Sequence, residues 1–469
     1  MDVIVGGGVV GLSAAWRLAR AGRPVTVVDP APASGASHAA AGMLAPVSEV
    51  TYTEAPLLRL GVASLRRWPA FAAELAADAG LAGTRDLDLR ADGTLDVAFG
   101  SDDLAALDEL AAYMEKLELP VERLTGRECR RLEPMLAPSV RGGLLAPGDA
   151  WVDPRRVTAA LLAALDRLEV PLVRARVAEL LRDGDRVVGV RLEPPGDTAP
   201  SPGTTAPAAT GEGGSGLAGQ GTSGLAGPSG ATGQAAGAWD GWSAVAAEGV
   251  NAGAGEGAGA GSGERAGHGG AWEAGRTGTG TGTRAGGRTA ARAGIAGGPG
   301  EIRGERVLLA AGAWSAGLAE VPVRPVKGQI MRLRSPQPLL TRCVRGTVHG
   351  TPVYLVPRGD GELVVGATQE ELGFDRRVTA GGLYELLRDA RELVPGVTEL
   401  EVADVVAGLR PGTPDNLPLV GPSGTPGLAL ATGHFRGGVL MAPLTADILL
   451  GEEGELAALC APGRFREIS

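Results

Sequence analysis

Three glycines near the start of the chain could bind a phosphate. Gly6, Gly8 and Gly11 stand in G-x-G-x-x-G spacing within MDVIVGGGVVGLSAAW. A β-branched strand, Val3 to Val5, precedes them, and an amphipathic helix, Leu12 to Ala21, follows. In that context Gly6 permits a tight turn, Gly8 lets the backbone approach a pyrophosphate, and Gly11 lets the helix pack closely on the strand. The helix start then offers N–H groups and the positive end of its dipole to the phosphates. Asp29 ends the next strand, PVTVVDP, 18 residues after Gly11. A carboxylate there accepts from a ribose 2′-OH and disfavours a 2′-phosphate. The fingerprint alone does not choose between FAD and NAD. The following segment, GASHAAAGMLAP, is small and glycine-rich, and it would let the backbone run beside a flat, extended ligand.

A second set of residues could hold an amino acid. Arg410 lies in AGLRPGTPD, where the Pro-Gly pair places it at the end of a strand and the start of a turn. Its planar guanidinium can grip a carboxylate in two parallel hydrogen bonds, or it can serve as an ordinary ion-paired arginine. Tyr354, in TPVYLVPRG, shares a strand face with Val356. Its phenol could reach the same carboxylate or simply fill the core. Near the C-terminus, GHFRGGVLMAP puts Gly433, Gly437 and Gly438 ahead of a helix, Leu440 to Leu450. Such a helix start can stabilise negative charge. No Ser–His–Asp set or metal-ligand cluster emerges. The four histidines, His38, His268, His349 and His434, are scattered, which suits a reaction whose hard chemistry a cofactor carries.

The elements that must position these residues divide by composition. Residues 1 to about 193 alternate short strands with helical patterns, and the pattern resumes at Glu301. Between them, positions 201–300 hold 33 of the 76 glycines. Such a stretch buries too little apolar surface to offset its chain entropy and is expected to be disordered. It falls between the strands DRVVGVRLEP and EIRGERVLLAAG, as an overgrown loop whose closure costs little. In DPRRVTAALLAALDRL, Asp153 caps a helix, Pro154 starts it, and Val157, Leu161, Ala164, Leu165 and Leu168 form one apolar face. Charge is 44 basic against 54 acidic residues, net −10, which argues against a nucleic-acid or anionic-membrane partner. Three scattered cysteines point to a reducing compartment with no disulfide framework. The absence of a leader pattern or long apolar run gives a cytoplasmic expectation.

The motifs together resemble the D-amino-acid oxidase superfamily of FAD enzymes, and within it the glycine oxidases of thiamine biosynthesis. The resemblance is carried by GGGVVGLSAAW, AAAGMLAP, VLLAAGAWS, VRPVKGQIMRL, VYLVPRGDGELVVGAT, AGLRPGTPDNLPLVG and ATGHFRGGVLMAP. It implies that Val9 and Val10 meet the pyrophosphate and that Asp29 and Pro30 meet the adenosine ribose. It also places Ala36, Ser37, Ala41, Gly42 and Met43 beside the isoalloxazine and brings Val177 to the adenine. Gly312 and the run His434, Phe435, Arg436, Gly437, Gly438, Val439 and Leu440 complete the cofactor envelope. Arg410, Tyr354 and Arg436 would contact substrate. No cysteine lies between 344 and 459, so the FAD is expected to be noncovalent, and no side chain is assigned as an obligatory base. The implied fold is α/β, a Rossmann-type FAD-binding domain (1–44, 146–193, 301–321, 406–469) interleaved with a mixed-sheet substrate domain (45–145, 322–405), plus a disordered Gly-rich insertion (194–300). The implied reaction is oxidative deamination of glycine or another small amino acid or amine. Hydride passes to flavin N5, O2 is reduced to hydrogen peroxide, and the imino product hydrolyses to oxo acid and ammonia. The rivals are a D-amino-acid or sarcosine-type dehydrogenase with another acceptor and a flavin-bearing electron-relay subunit. A homo-oligomer is compatible with all three.

Overall fold

In the computed structural model, residues 1–49, 52–194, 300–451 and 454–468 are described. Short runs rich in β-branched and apolar residues build the first sheet. Asp2–Val5 and Val25–Val28 are buried at every position, as strands covered on both faces must be. The sheet order is Leu419–Pro422, Leu428–Thr432, Arg306–Leu309, Asp2–Val5, Val25–Val28, Leu172–Val173. Pairing is parallel throughout except between Leu419–Pro422 and Leu428–Thr432. The helix Val9–Arg20 starts three residues before its expected first turn, directly after Gly8. It packs between the helices Pro154–Arg167 and Ala442–Leu450. Trp16 and Trp68 close the core edge-on against Phe71, with ring centroids 5.1 and 5.2 Å apart.

The helix Pro154–Arg167 follows its expectation at the start, where the Asp153 carboxylate accepts from Arg155 N–H at 2.9 Å. Val157, Leu161, Ala164 and Leu165 are buried. Leu168 is a correction. The helix stops at Arg167, and Leu168 becomes an exposed C-cap instead of a core contact.

The second sheet has eight strands in the order Glu401–Gly412, Arg324–Arg334, Glu362–Gly366, Thr351–Pro357, Cys343–Val348, Thr94–Ala98, Gly142–Ala146, Glu122–Thr125. Only Cys343–Val348 and Thr94–Ala98 run parallel, so the sheet is mixed. Side-chain alternation gives it two different faces. Met331 and Leu333 pack in the cluster containing Leu386 and Leu393 of helix Ala380–Leu393. Ile330 and Val356 turn the other way, into a cluster with Ala41 and Trp151.

Glu401–Gly412 runs unbroken past the expected boundary at 405/406, paired along its length with Arg324–Arg334. Arg410 therefore lies within a strand, opposite Val326, and not at a strand end. Pro411 does not break the ladder because it sits on an edge strand, opposite Pro325, where a missing N–H is tolerated.

Arg186–Leu192 and Glu301–Arg303 pair antiparallel, in one sheet with Val177–Asp183. The two strands that flank the glycine-rich stretch are thus neighbours, as expected. The disorder expected between them concerns 195–299, which lies outside the described residues.

Candidate active site

The glycine turn is built as the spacing requires. Gly6 has φ +116°, and a Cβ there would come within 2.2 Å of the Ala310 carbonyl oxygen. A Cβ on Gly11 would come within 2.0 Å of the Gly6 oxygen, so the helix is packed against the turn itself. Gly8 meets only the Ser37 hydroxyl, at 3.2 Å from its notional Cβ, and leaves the approach to the helix start open. The first turn carries no acidic residue and no side-chain cap on its N-cap glycine, and its N–H groups lack intrahelical partners. Ser37 takes one of them, accepting from Val9 N–H at 2.9 Å. Asp29 fastens the loop as well: its Oδ2 accepts from Gly7 N–H and its Oδ1 from Ala31 N–H, both at 2.7 Å. Each oxygen keeps a lone pair for a ribose. A glycine cradle, a helix start free of acid and a carboxylate at the next strand end fit an FAD dinucleotide.

The small segment from Ala36 to Met43 lies against the eight-stranded sheet. A Cβ on Gly408 would meet Ala39 Cβ at 2.8 Å and Ala36 Cα at 3.2 Å, so strand and helix Gly35–Ala39 touch backbone to backbone. Gly42 has φ +80° and sits under the Val152 carbonyl. Two buried arginines from the sheet pin this segment. Arg358 donates to the carbonyls of Val152, at 2.9 Å, and Ala41. Arg332 pairs with Glu362 and donates to the Ala40 carbonyl at 3.3 Å. Sequence reasoning did not find either residue. Arg332 sits in a strand between Met331 and Leu333, and Arg358 directly follows the strand Thr351–Pro357, positions that do not say what either guanidinium is buried against.

Arg410 and Tyr354, two of the three residues expected to contact substrate, lie on the sheet face turned to that segment. Two further glycines make room for them. A Cβ on Gly366 would lie 2.4 Å from the Tyr354 ring, and one on Gly328 would lie 2.3 Å from the Arg410 guanidinium. Tyr354 and Gly366 are directly paired, and Gly366 is paired in turn with Ile330, two residues from Gly328. Burial pushes the Tyr354 phenol up to about 12, against the opposing pull of the Arg410 charge. Arg410 Nη1 donates to the carbonyls of Thr368, at 3.1 Å, and Lys327, at 3.3 Å, leaving the rest of the fork for a ligand.

Arg436 is placed in a cleft with Glu49, Leu57 and Met441. Its guanidinium is paired with the Glu54 carboxylate and reaches the Glu49 carbonyl at 3.3 Å. Glu54 also accepts from Asn416 at 2.7 Å. His434 turns inward and hydrogen-bonds Thr445 Oγ1 at 2.8 Å, and burial drops its pKa to about 3. Its side chain is therefore neutral and committed to the core. Phe435, Val439 and Leu440 are likewise buried. The Leu440 carbonyl accepts from Ser64 and Trp68. Arg436–Gly437 belong to a short 3-10 turn, and the helix begins at Ala442, two residues later than expected. Gly312 has φ +56° and open space around it, and its carbonyl accepts from Thr432 at 3.2 Å. Val177 opens the strand Val177–Asp183, and Pro30 follows Asp29 on the surface. Among the described residues no cluster of His, Cys, Asp and Glu could hold a metal ion, and no helix is long and apolar enough to cross a membrane.

Comparison with known proteins shows the family and the fold. The model of the family described as FAD dependent oxidoreductase matches residues 3–220 and 264–450. A glycine oxidase of Geobacillus kaustophilus is 29% identical over 98% of this chain and 94% of its own length. The crystal structure of glycine oxidase from that organism superposes with a TM-score of 0.69 at 27% identity, covering 98% of this chain and 97% of the other. A bifunctional ThiO/ThiG protein of Nostoc is 41% identical over 33% of this chain, and the match spans only 24% of that relative.

Proposed function

The chain belongs to the family of FAD-dependent oxidoreductases, and from that membership we propose that it oxidatively deaminates glycine or another small amino acid. The observation that carries the proposal is the pairing of Arg410 and Tyr354. Each is seated over a glycine, on the sheet face that meets the Ala36–Met43 segment. FAD, held by these residues, would supply the hydride acceptor at flavin N5, with O2 as the terminal acceptor giving hydrogen peroxide.

The chain's own part is positional. Arg410 orients the substrate carboxylate with the N–H groups its two backbone acceptors leave free. Tyr354, protonated at neutral pH as a phenol ordinarily is and more firmly so through burial, donates to that carboxylate and does not act as a base. Arg436, tied to Glu54, closes the rim of the cleft. The amine loses its proton before Cα–H cleavage, and the imino product hydrolyses to the oxo acid and ammonia. On the cofactor side, the proposal assigns Gly6, Gly8, Val9, Val10 and Gly11 to the pyrophosphate, and Asp29 and Pro30 to the ribose. Val177 goes to the adenine, and the 36–43 segment, Gly312 and the 434–440 backbone to the flavin.

The cofactor is held without a covalent bond. Cys343, the cysteine next to Met43, is fully buried, and burial pushes its thiol up to about 12, far from a reactive thiolate. A role in thiamine biosynthesis is part of the proposal, supported by likeness to glycine oxidases.

The test is peroxide release from the purified yellow protein with glycine and O2. Reduction of an artificial dye without peroxide identifies a dehydrogenase, and neither signal identifies an electron-relay subunit. Flavin that stays in the acid-precipitated pellet would show a covalent link.

A further inference from the structure

Behind Arg410 lies an ion pair with a buried ammonium that the proposed reaction does not use. Lys327 is fully buried, and its ammonium sits 3.1 Å from Oε2 of Glu370. Two stretches of backbone meet here. The ladder between Arg324–Arg334 and Glu362–Gly366 stops at Ile330 opposite Gly366. It resumes in a single bridge, Lys327 opposite Glu370. Three steps along one strand match four along the other, so the segment after Gly366 carries one extra residue, as a bulge does. Thr368 takes up the slack. Its carbonyl turns to Arg410 Nη1 at 3.1 Å. Its hydroxyl accepts from Gln329 N–H at 2.9 Å and donates to Glu370 Oε1 at 2.6 Å. Gln329 Nε2 donates to that same oxygen at 2.8 Å. The bridge itself closes with Lys327 N–H to Glu370 O at 2.8 Å and Glu370 N–H to Lys327 O at 3.0 Å.

Both carbonyls that hold Arg410 therefore belong to residues clamped by Glu370, one through its ion pair and backbone, the other through its hydroxyl. We propose that the Lys327–Glu370 pair is a positioning device for Arg410, fixing the angle at which the guanidinium meets a substrate carboxylate. The proposal rests on reading Arg410 as the carboxylate anchor. Charge-assisted bonds are short and directional. Without the ammonium, Glu370 can swing to the solvent it already reaches, since its side chain is 24% exposed. The bulge would then roll and carry the Thr368 carbonyl with it.

The probe is glycolate, a carboxylate the size of glycine that lacks the amine, titrated calorimetrically onto the FAD-loaded protein. Lys327→Met removes the ammonium and keeps the buried stem. Glu370→Gln keeps an oxygen for Thr368 and Gln329 and removes the counter-charge. The expected result for Lys327→Met is a glycolate Kd raised about tenfold, ~1.4 kcal/mol, with FAD content unchanged. The glycine KM should rise in step while kcat stays within about threefold, and Lys327→Arg should recover part of the binding. Glu370→Gln should follow the same pattern, and if it does not fold, Lys327→Met decides. An unchanged glycolate Kd in Lys327→Met overturns the proposal, as does a kcat loss with KM intact. Arg410→Ala separates the two levels of inference. If it still binds glycolate, the anchor reading fails. If it loses glycolate while Lys327→Met keeps it, only the positioning role falls.

Discussion

Replacing Arg410 by alanine is the most direct perturbation of the proposed site. The guanidinium gives Nη1 to two backbone carbonyls, so its orientation is set before any ligand arrives. What alanine removes is a pre-aimed charge on a sheet face shared with a protonated phenol. A substrate carboxylate would then face that pocket without a paired cation. Loss of such a contact costs roughly 2–5 kcal/mol, or about 30- to 5000-fold in kcat/KM. Folding should suffer far less. The Lys327 carbonyl still accepts from Glu370 N–H, and the Thr368 carbonyl loses one bond, a cost of about 1 kcal/mol. Arg410→Lys should recover only part of the activity, because an ammonium cannot reproduce the planar fork. The assay is steady-state peroxide release from glycine and from an amine without a carboxylate, with flavin content measured on the same samples. Glycine turnover should collapse while the plain amine, to whatever extent it reacts, loses much less. Equal losses on both substrates with flavin retained would refute the carboxylate-anchor reasoning.

Gly6→Ala should yield protein with little bound FAD and a lowered Tm, because its Cβ would sit 2.2 Å from the Ala310 oxygen at φ +116°; normal flavin content on gel filtration would contradict the cradle. Excising 201–294 should leave FAD content and turnover within about threefold, under 1 kcal/mol in barrier, since the strands at its two ends are already paired; a colourless product would show otherwise. His434 titrates near 3 when folded and near 6.5 when unfolded. The unfolded chain thus binds a proton that the native one refuses. The stability from keeping this group neutral is complete above pH 6.5 and is lost as pH falls toward 3. Relative to His434→Gln, the native protein should lose about 2 kcal/mol by pH 5, measured as urea midpoints across pH; parallel profiles would remove His434 as the cause.

The parts of the molecule legible in the sequence are those in which a local rule fixes a local geometry. The glycine spacing gave the turn, Asp153-Pro154 gave a helix start, and period-two alternation put Tyr354 and Val356 on one face. Elements whose ends depend on a distant partner were read less well. Arg410 looked like a strand end because Pro411-Gly412 normally stops a strand, but pairing with Arg324–Arg334 holds the ladder through both. Leu168 fitted the helical stripe but fell one residue beyond the helix. The place of Asp29 directly after its strand was legible, while its two bonds to Gly7 and Ala31 were not, since they depend on where the turn folds back. The buried charges were the least visible. Lys327 and Arg332 interrupt one strand and Arg358 follows the end of another, and their acceptors are backbone carbonyls or carboxylates remote in sequence. Residue type alone does not reveal such partners. Gly328 and Gly366 were equally silent, because the reason for each is a side chain on a neighbouring strand.

The strand order of the first sheet has a consequence for biosynthesis. Asp2–Val5 is flanked on one side by Val25–Val28 and on the other by Arg306–Leu309. Its second neighbour is thus translated 304 residues after it, with Asp2 pairing Arg306. At about 5–20 residues per second, the first strand leaves the ribosome roughly 15–60 s before that partner exists. Throughout that interval an edge that is apolar from Val3 to Val5 stands open, the kind of surface that recruits chaperones or strays into foreign pairing. The nascent chain cannot complete its nucleotide cradle until the second half is made, because the Ala310 carbonyl that seats Gly6 comes with it. Cofactor capture is therefore a late event on this chain, and a truncated N-terminal half should emerge colourless however intact its glycine fingerprint.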